Sequence, residues 1–330
     1  MRGPQKLDDR YLLPDSPCRC CSKVHCYAKC ILWKAWFTKR WHSIQISAEP
    51  VHPPEKITPE KKGKIVMTMQ RIAIINLKGG VGKSVTACNL ACILGQMHKR
   101  RVLVMDLDKQ ANTSKFFRRF DPGMTTMAQV LTMENILADA IVNTRLDHVD
   151  IAPCSMEMLK ANKQVMLDVT HPQHNRIRRA LHDQDGLYDY CIMDCPPDID
   201  MATINALVAA DWVIIPVDCD EWAFDGLKEI MEQVAEVKEE LNPHIKVMGV
   251  LATKYTRGGY SQRALDQLDK SKLPVFRDPD GKVLRIDYNV KVKEAKTMYQ
   301  PIYTYRVPAN VQYRQLADIV EKMAGGQENG

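Results

Sequence analysis

A chain of 330 residues, 45% of them apolar, has material for one large α/β domain or two small ones. No apolar run approaches the roughly 20 residues that cross a bilayer. No charged n-region, apolar h-region and cleavage site opens the chain either, so a secreted or membrane-spanning protein is not expected and the cytoplasm is. The formal net charge of +6 is uneven: residues 1–66 hold 13 Lys/Arg against 6 Asp/Glu, and the rest is near neutral.

Residues 1–66 come first and read differently from everything after them. They are rich in proline (Pro50, Pro53, Pro54, Pro59) and show no sustained helical or strand period. Two readings stand: an unstructured basic extension of a domain spanning 67–330, or a start placed too far upstream, with Met67 or Met69 opening the working protein. Cys18, Cys20, Cys21, Cys26 and Cys30 cluster around His25, but without paired Cys-x-x-Cys units they do not enter the expected site. Trp33, Trp36, Phe37 and Trp41 alternate with Lys34, Lys39 and Arg40, a pattern that also suits an anionic membrane surface.

From residue 70 short apolar runs alternate with helical stretches. The runs are Ile72–Asn76, Val102–Leu107, Val149–Pro153, Tyr190–Asp194, Trp212–Val217 and Val247–Thr253, and their β-branched, near-continuous character suits strands buried on both sides. Helices are predicted over Lys83–Met97, Ser155–Leu167, Asn175–His182, Ala202–Ala210, Ala223–Leu241, Ser261–Lys270 and Gln312–Met323. The expected fold is therefore α/β: a doubly wound, mainly parallel sheet with helices on both faces. Ligands of such sheets bind beyond the carboxyl ends of the strands, where Lys83, Asp108 and Asp194 gather.

The most specific feature follows the first strand, where Asn76 runs into Leu77-Lys78-Gly79-Gly80-Val81-Gly82-Lys83-Ser84 and then a helix. Backbone N–H groups and the helix N-terminus converge there on one anion, which marks a nucleotide-phosphate site. In such a loop Lys83 holds the β- and γ-phosphates, the Ser84 hydroxyl sits on Mg²⁺, and Gly79, Gly80, Val81, Gly82 and Val85 complete the cradle. The alternative is a chance glycine-rich turn, which the strand before and the helix after argue against.

Leu77 stands where the usual Gly-x-x-x-x-Gly-Lys-Ser loop has its first glycine, and Lys78 adds a charge before the double glycine. This resembles the deviant Walker A loop of the ParA/MinD superfamily, whose signature is that lysine. The Asn-x-Lys-Gly-Gly form is similar to the partition ATPases, whereas the MinD branch and the nitrogenase iron proteins usually carry Gly-Lys-Gly-Gly. The resemblance spans about residues 70–323 and implies a P-loop NTPase fold that takes ATP and Mg²⁺.

Two carboxylate motifs extend it. Val102–Asp106 leads into Leu107-Asp108-Lys109-Gln110-Ala111-Asn112, similar to the family's Asp-x-Asp-Pro-Gln-x-Asn segment. By strand alternation Asp106 and Asp108 share a face if the strand persists that far. The resemblance implies that Asp108 orients the attacking water and that Asp106 lies near Mg²⁺; taken alone, the pair reads equally well as turn carboxylates. Lys109 replaces the family's proline, and Val85 replaces its second Thr after Lys83. Tyr190-Cys191-Ile192-Met193-Asp194-Cys195-Pro196-Pro197 places Asp194 at the Walker B position, holding Mg²⁺ through water and accepting from Ser84, with a structural cap as the alternative. Thr253 and Lys254 end the strand where the family's adenine contact tends to lie.

The resemblance also implies that Lys78 crosses a homodimer interface to the partner's phosphates, so that two ATPs are sandwiched and hydrolysis dissolves the dimer. Residues 251–314 carry 13 Lys/Arg against 6 Asp/Glu. Arg257, Lys282, Arg285, Lys291, Lys293 and Lys296 there suit non-specific DNA binding, and Asn289–Ala295 is similar to the family's Asn-Val-Arg-Leu-Ser-Glu-Ala segment. A solvated charged face is the alternative. A nucleoid-associated partition ATPase stimulated by a ParB-type protein is the expected function. The rivals are a MinD-like membrane-associated ATPase, whose basic amphipathic tail Glu321–Gly330 lacks, and an iron–sulfur carrier, whose late Cys-x-x-Cys is absent after Cys219.

Overall fold

Neighbouring residues of each central strand bury on opposite sides of one sheet. Ile72, Ile74, Val102, Val104, Tyr190 and Ile192 enter one apolar layer, and Ala73, Ile75, Leu103, Met105, Cys191 and Met193 enter the other. A sheet with two apolar faces needs cover on both, and helices supply it. The computed structural model describes residues 68–325 apart from 122 and 220–224. The leader, with its cysteine and tryptophan clusters, the start of the helix predicted over Ala223–Leu241 and the last five residues of the chain lie outside the described residues.

Eight strands form the sheet: β1 (Gln70–Ile74), β2 (Val102–Asp106), β3 (Val142–Asn143), β4 (Val149–Ala152), β5 (Tyr190–Asp194), β6 (Trp212–Asp218), β7 (Lys246–Tyr255) and β8 (Arg285–Asp287). Their order is β3-β4-β2-β5-β1-β6-β7-β8. All pairs are parallel except β3 with β4, which bears out a mainly parallel sheet. The six predicted strands are present. The edge strands β3 and β8 were not expected, because two and three residues are too few to show a period.

The helices are α1 (Lys83–Gln96), α2 (Asn112–Phe116), α3 (Met127–Thr132), α4 (Leu137–Ala140), α5 (Met158–Leu167), α6 (Arg176–His182), α7 (Met201–Ala209), α8 (Asp225–Glu240), α9 (Gly259–Lys270), α10 (Val290–Thr297) and α11 (Pro308–Gly325). Seven of them match predicted helices with shifted ends. α2, α3, α4 and α10 were not expected, although α3 carries a legible start: Thr126 and Gln129 form a capping box. Tyr313, Leu316, Ala317 and Val320 of α11 share one apolar layer with Leu90, Ile93 and Leu94 of α1. Among the described residues no helix is long and apolar enough to cross a membrane.

Strand register fixes which groups meet at the carboxyl edge. In β1, β5 and β2, Ile74 pairs with Asp194 and Asp194 with Asp106, so two carboxylates end adjacent strands. Packing behind the sheet is tight at Gly249 of β7, where an added Cβ would lie 2.8 Å from a ring carbon of Phe276. Gly249→Ala therefore overpacks the layer and should cost about 1–3 kcal/mol. A lower thermal midpoint with a native-like circular dichroism spectrum is the expected result.

Candidate nucleotide-phosphate site

The phosphate loop leaves β1 at Asn76, whose side chain accepts from the Lys78 N–H at 2.8 Å and donates to Pro216 O at 2.7 Å. Two glycines supply backbone angles that L side chains rarely adopt, φ +82° at Gly80 and +98° at Gly82, and Gly82 caps α1 without a side chain in the way. Thr253, at the end of β7, donates to Val81 O at 2.8 Å and to Val217 O at 2.9 Å, pinning the loop to the sheet. It thus acts on the loop's shape. Lys254 beside it pairs with Asp218 at 2.7 Å.

Lys83 is 7% exposed and donates to two carbonyls of its own loop, Asn76 O at 2.8 Å and Lys78 O at 3.2 Å. Burial lowers its pKa, and the Asp194 charge opposes the shift. A desolvated ammonium held by carbonyls beside the N-terminus of α1 suits an incoming phosphate. Lys78, Gly79 and Gly80 are exposed at the crest of the loop.

Asp106 and Asp194 are both fully buried. α2 dresses them: Thr113 donates its hydroxyl to Asp194 Oδ2 at 2.7 Å, and Ser114 donates its N–H at 2.8 Å and its hydroxyl at 2.7 Å to Asp106 Oδ2. These partners were missed in the sequence because α2 has only five residues and follows a left-handed Ala111 (φ +52°). Burial first, and then the facing charge of Asp194, push Asp106 up to about 7; burial pushes Asp194 up to about 6 against the Thr113 hydroxyl. Asp194 Oδ1 is buried with no hydrogen bond of full geometry, although the Ser84 hydroxyl lies close enough to favour the ionised carboxylate. Such a carboxylate oxygen, beside a second carboxylate and near Ser84, fits a hard cation or its bound water.

Asp108 corrects the alternation argument. β2 stops at Asp106, so strand geometry does not place Asp108; instead its Oδ1 accepts from the Gln110 N–H at 2.9 Å in a turn of its own. Lys109, in the family's proline position, reaches Asp198 at 3.2 Å and ties this turn to the segment after Asp194. The basic residues are dispersed in their roles. Arg257 and Lys282 are exposed, the Arg285 guanidinium lies 3.9 Å over the Tyr255 ring, and Lys291 pairs with Glu294 at 2.7 Å. Lys293 and Lys296 line a cavity of about 220 Å³ beside Gly80, Gly82 and Val85. A larger concavity, about 1010 Å³, lies elsewhere, between the 133–138 segment, α6 and the end of α8, and none of the phosphate-site residues borders it.

A parallel sheet with a glycine loop, a buried lysine and two carboxylates at its carboxyl edge defines a P-loop NTPase. The family model described as "AAA domain" matches residues 69–247. The chain is 35% identical over 236 residues to the sporulation initiation inhibitor protein Soj of Bacillus subtilis, covering 71% of this chain and 90% of Soj. It is 34% identical over 242 residues to the chromosome partitioning protein ParA of Caulobacter vibrioides, covering 71% and 86%. Among solved structures it is similar to cobyrinic acid a,c-diamide synthase from Mycobacterium smegmatis with a bound ATP analogue and magnesium, at TM-score 0.68 and 26% identity over 78% of this chain and 96% of that one. The chain belongs to the ParA/MinD superfamily of P-loop proteins.

The carboxylate pair makes stability depend on pH. Both folded pKa values lie above the ordinary 3.8, so the native state holds these protons more tightly than the unfolded chain does. Their stabilisation is full below about pH 4 and is lost as pH rises through about 7. In thermal melts without nucleotide or metal, Asp106→Asn should therefore show a smaller loss of midpoint between pH 5 and pH 8 than the unaltered chain, over an interval on the order of the pKa shift. Equal losses would contradict the assignment.

Proposed function

We propose that this chain is an ATP-dependent DNA-partition ATPase. The observation that carries the reading is Lys78: an exposed lysine on a glycine loop that already holds a buried lysine, Lys83, against its own carbonyls. A second lysine so placed suits phosphates held by another copy of the chain. The name of a 34% identical relative, the chromosome partitioning protein ParA, supports the same reading.

In this account the N–H groups of residues 79–85 cradle ATP, Lys83 neutralises its β- and γ-phosphates, and Lys78 reaches the partner's nucleotide. Two facing basic loops repel until phosphate fills the gap, so ATP is what permits the homodimer. Ser84, Asp106 and Asp194 would hold Mg²⁺, which when bound neutralises developing phosphate charge. Asp108 turns from its Gln110 contact to orient the attacking water. Phosphoryl transfer asks the protein for little beyond such positioning and charge, so a weak intrinsic rate raised by a ParB-type partner follows.

DNA is held without sequence preference by exposed cations after β7 and on α10, chiefly Arg257 and Lys291, with Arg285 nearby in sequence. The test is binding of the full chain to random-sequence duplex DNA with ATP, ADP or no nucleotide, alongside Lys78→Ala. The expected outcome is binding with ATP only, weakening steeply with salt and lost in the variant. Equal binding in all nucleotide states, or none in any, would refute the proposal.

A further inference from the structure

Lys293 and Lys296 read in the sequence as part of a DNA-facing charge run, yet the fold turns them toward the phosphate loop. They occupy α10, which stands across a cavity of about 220 Å³ from Gly80, Gly82 and Val85. Lys296 also borders a narrow cleft that reaches Ser84, Val85 and Asn112. Helical spacing explains the placement: Val292, Lys293 and Lys296 fall on one face of α10, whereas Lys291 pairs with Glu294 on another. Neither ammonium makes an ion pair with a described residue.

The loop side of this cavity lacks something that the lysines can supply. The first turn of α1 reads Lys83-Ser84-Val85, so an apolar isopropyl side chain follows the Ser84 hydroxyl on this side of the cavity. A phosphate chain seated on the N–H groups of that turn would meet Val85 on one flank and the α10 lysines on the other. A recess of this volume takes part of a small ligand rather than a duplex, since whole ligand pockets run from about 300 Å³. Ala295 is the one buried residue of α10, so few contacts compete with a ligand in setting the helix's position.

We infer that Lys296, with Lys293 beside it, is a nucleotide-binding residue whose ammonium pairs with the phosphate chain of a nucleoside di- or triphosphate on the loop. The inference rests on the loop's taking a nucleotide and is independent of DNA binding. It reassigns both lysines from the DNA surface to the nucleotide and places cations across the cavity from the apolar Val85. A lysine serves as a mobile point charge for phosphate, so the exact rotamer matters less than the charge.

The test titrates fluorescently labelled ADP and ATP, and separately adenosine, into the full chain, Lys296→Met, Lys293→Met and Lys296→Arg. Methionine keeps the stem and removes the charge at positions that are exposed, so folding is not at stake. Lys296→Met should weaken ADP and ATP about tenfold and Lys293→Met less, with adenosine little changed and Lys296→Arg near the unaltered chain. Duplex binding at saturating ATP should be the same for the methionine variants and the unaltered chain. Unchanged ADP and ATP affinity in both methionine variants would overturn the inference, whatever happens to DNA. If the unaltered chain binds nucleotide but never DNA, the partition reading fails and this assignment stands.

Discussion

Two carboxylates at the ends of neighbouring strands, both sealed from water, are the constraint on which the site depends. Register forces Asp106 and Asp194 together, and burial makes their ionised forms costly. The surrounding chain offsets that cost only in part. Thr113 and Ser114 donate to one oxygen of each carboxylate, and one oxygen of Asp194 lacks a hydrogen bond of full geometry. Close by, Lys83 is a buried cation satisfied by its own loop's carbonyls. The protein thus holds opposite charges in a desolvated space, each with capacity to spare, and an anion carrying a cation satisfies both at once.

The rest of the fold serves to keep that space in shape. Gly80 and Gly82 let the backbone turn its N–H groups inward, and Thr253 stitches the loop to the ends of β6 and β7. Asn76 does the same from below through Pro216. These contacts belong to the sheet and are rigid. By contrast the turn holding Asp108 is tied outward through a part-exposed ion pair between Lys109 and Asp198, a contact worth little in water and easily exchanged. A cradle pinned to the sheet thus stands beside a carboxylate whose turn is held by a weaker, part-exposed contact.

Much of this could be read from the residues. The buried strands announced themselves as β-branched runs, and the phosphate loop could be recognised from its glycines, its two lysines and its place between strand and helix. The place of Asp194 at the tip of β5 was legible because an apolar run ends in it just before two prolines. Asp108 was singled out through the resemblance of its motif; the condition that the strand persist to it is not met, since β2 ends at Asp106 and a local turn sets its side chain. Thr113 and Ser114 went unread because five residues of helix show no period. Lys293 and Lys296 read as surface charge, and both are exposed; composition carries no direction, and the packing of α10 adds that they border the cavity beside the loop.

The central claim is that nucleotide on this loop joins two copies of the chain through Lys78. The most direct measurement is the solution mass of Asp108→Ala by light scattering with ATP and Mg²⁺, compared with ADP and with the Lys78→Ala, Asp108→Ala double variant. The account predicts a dimer with ATP, a monomer with ADP, and a monomer for the double variant under all conditions. A monomer with ATP, or a dimer that survives loss of Lys78, would contradict it.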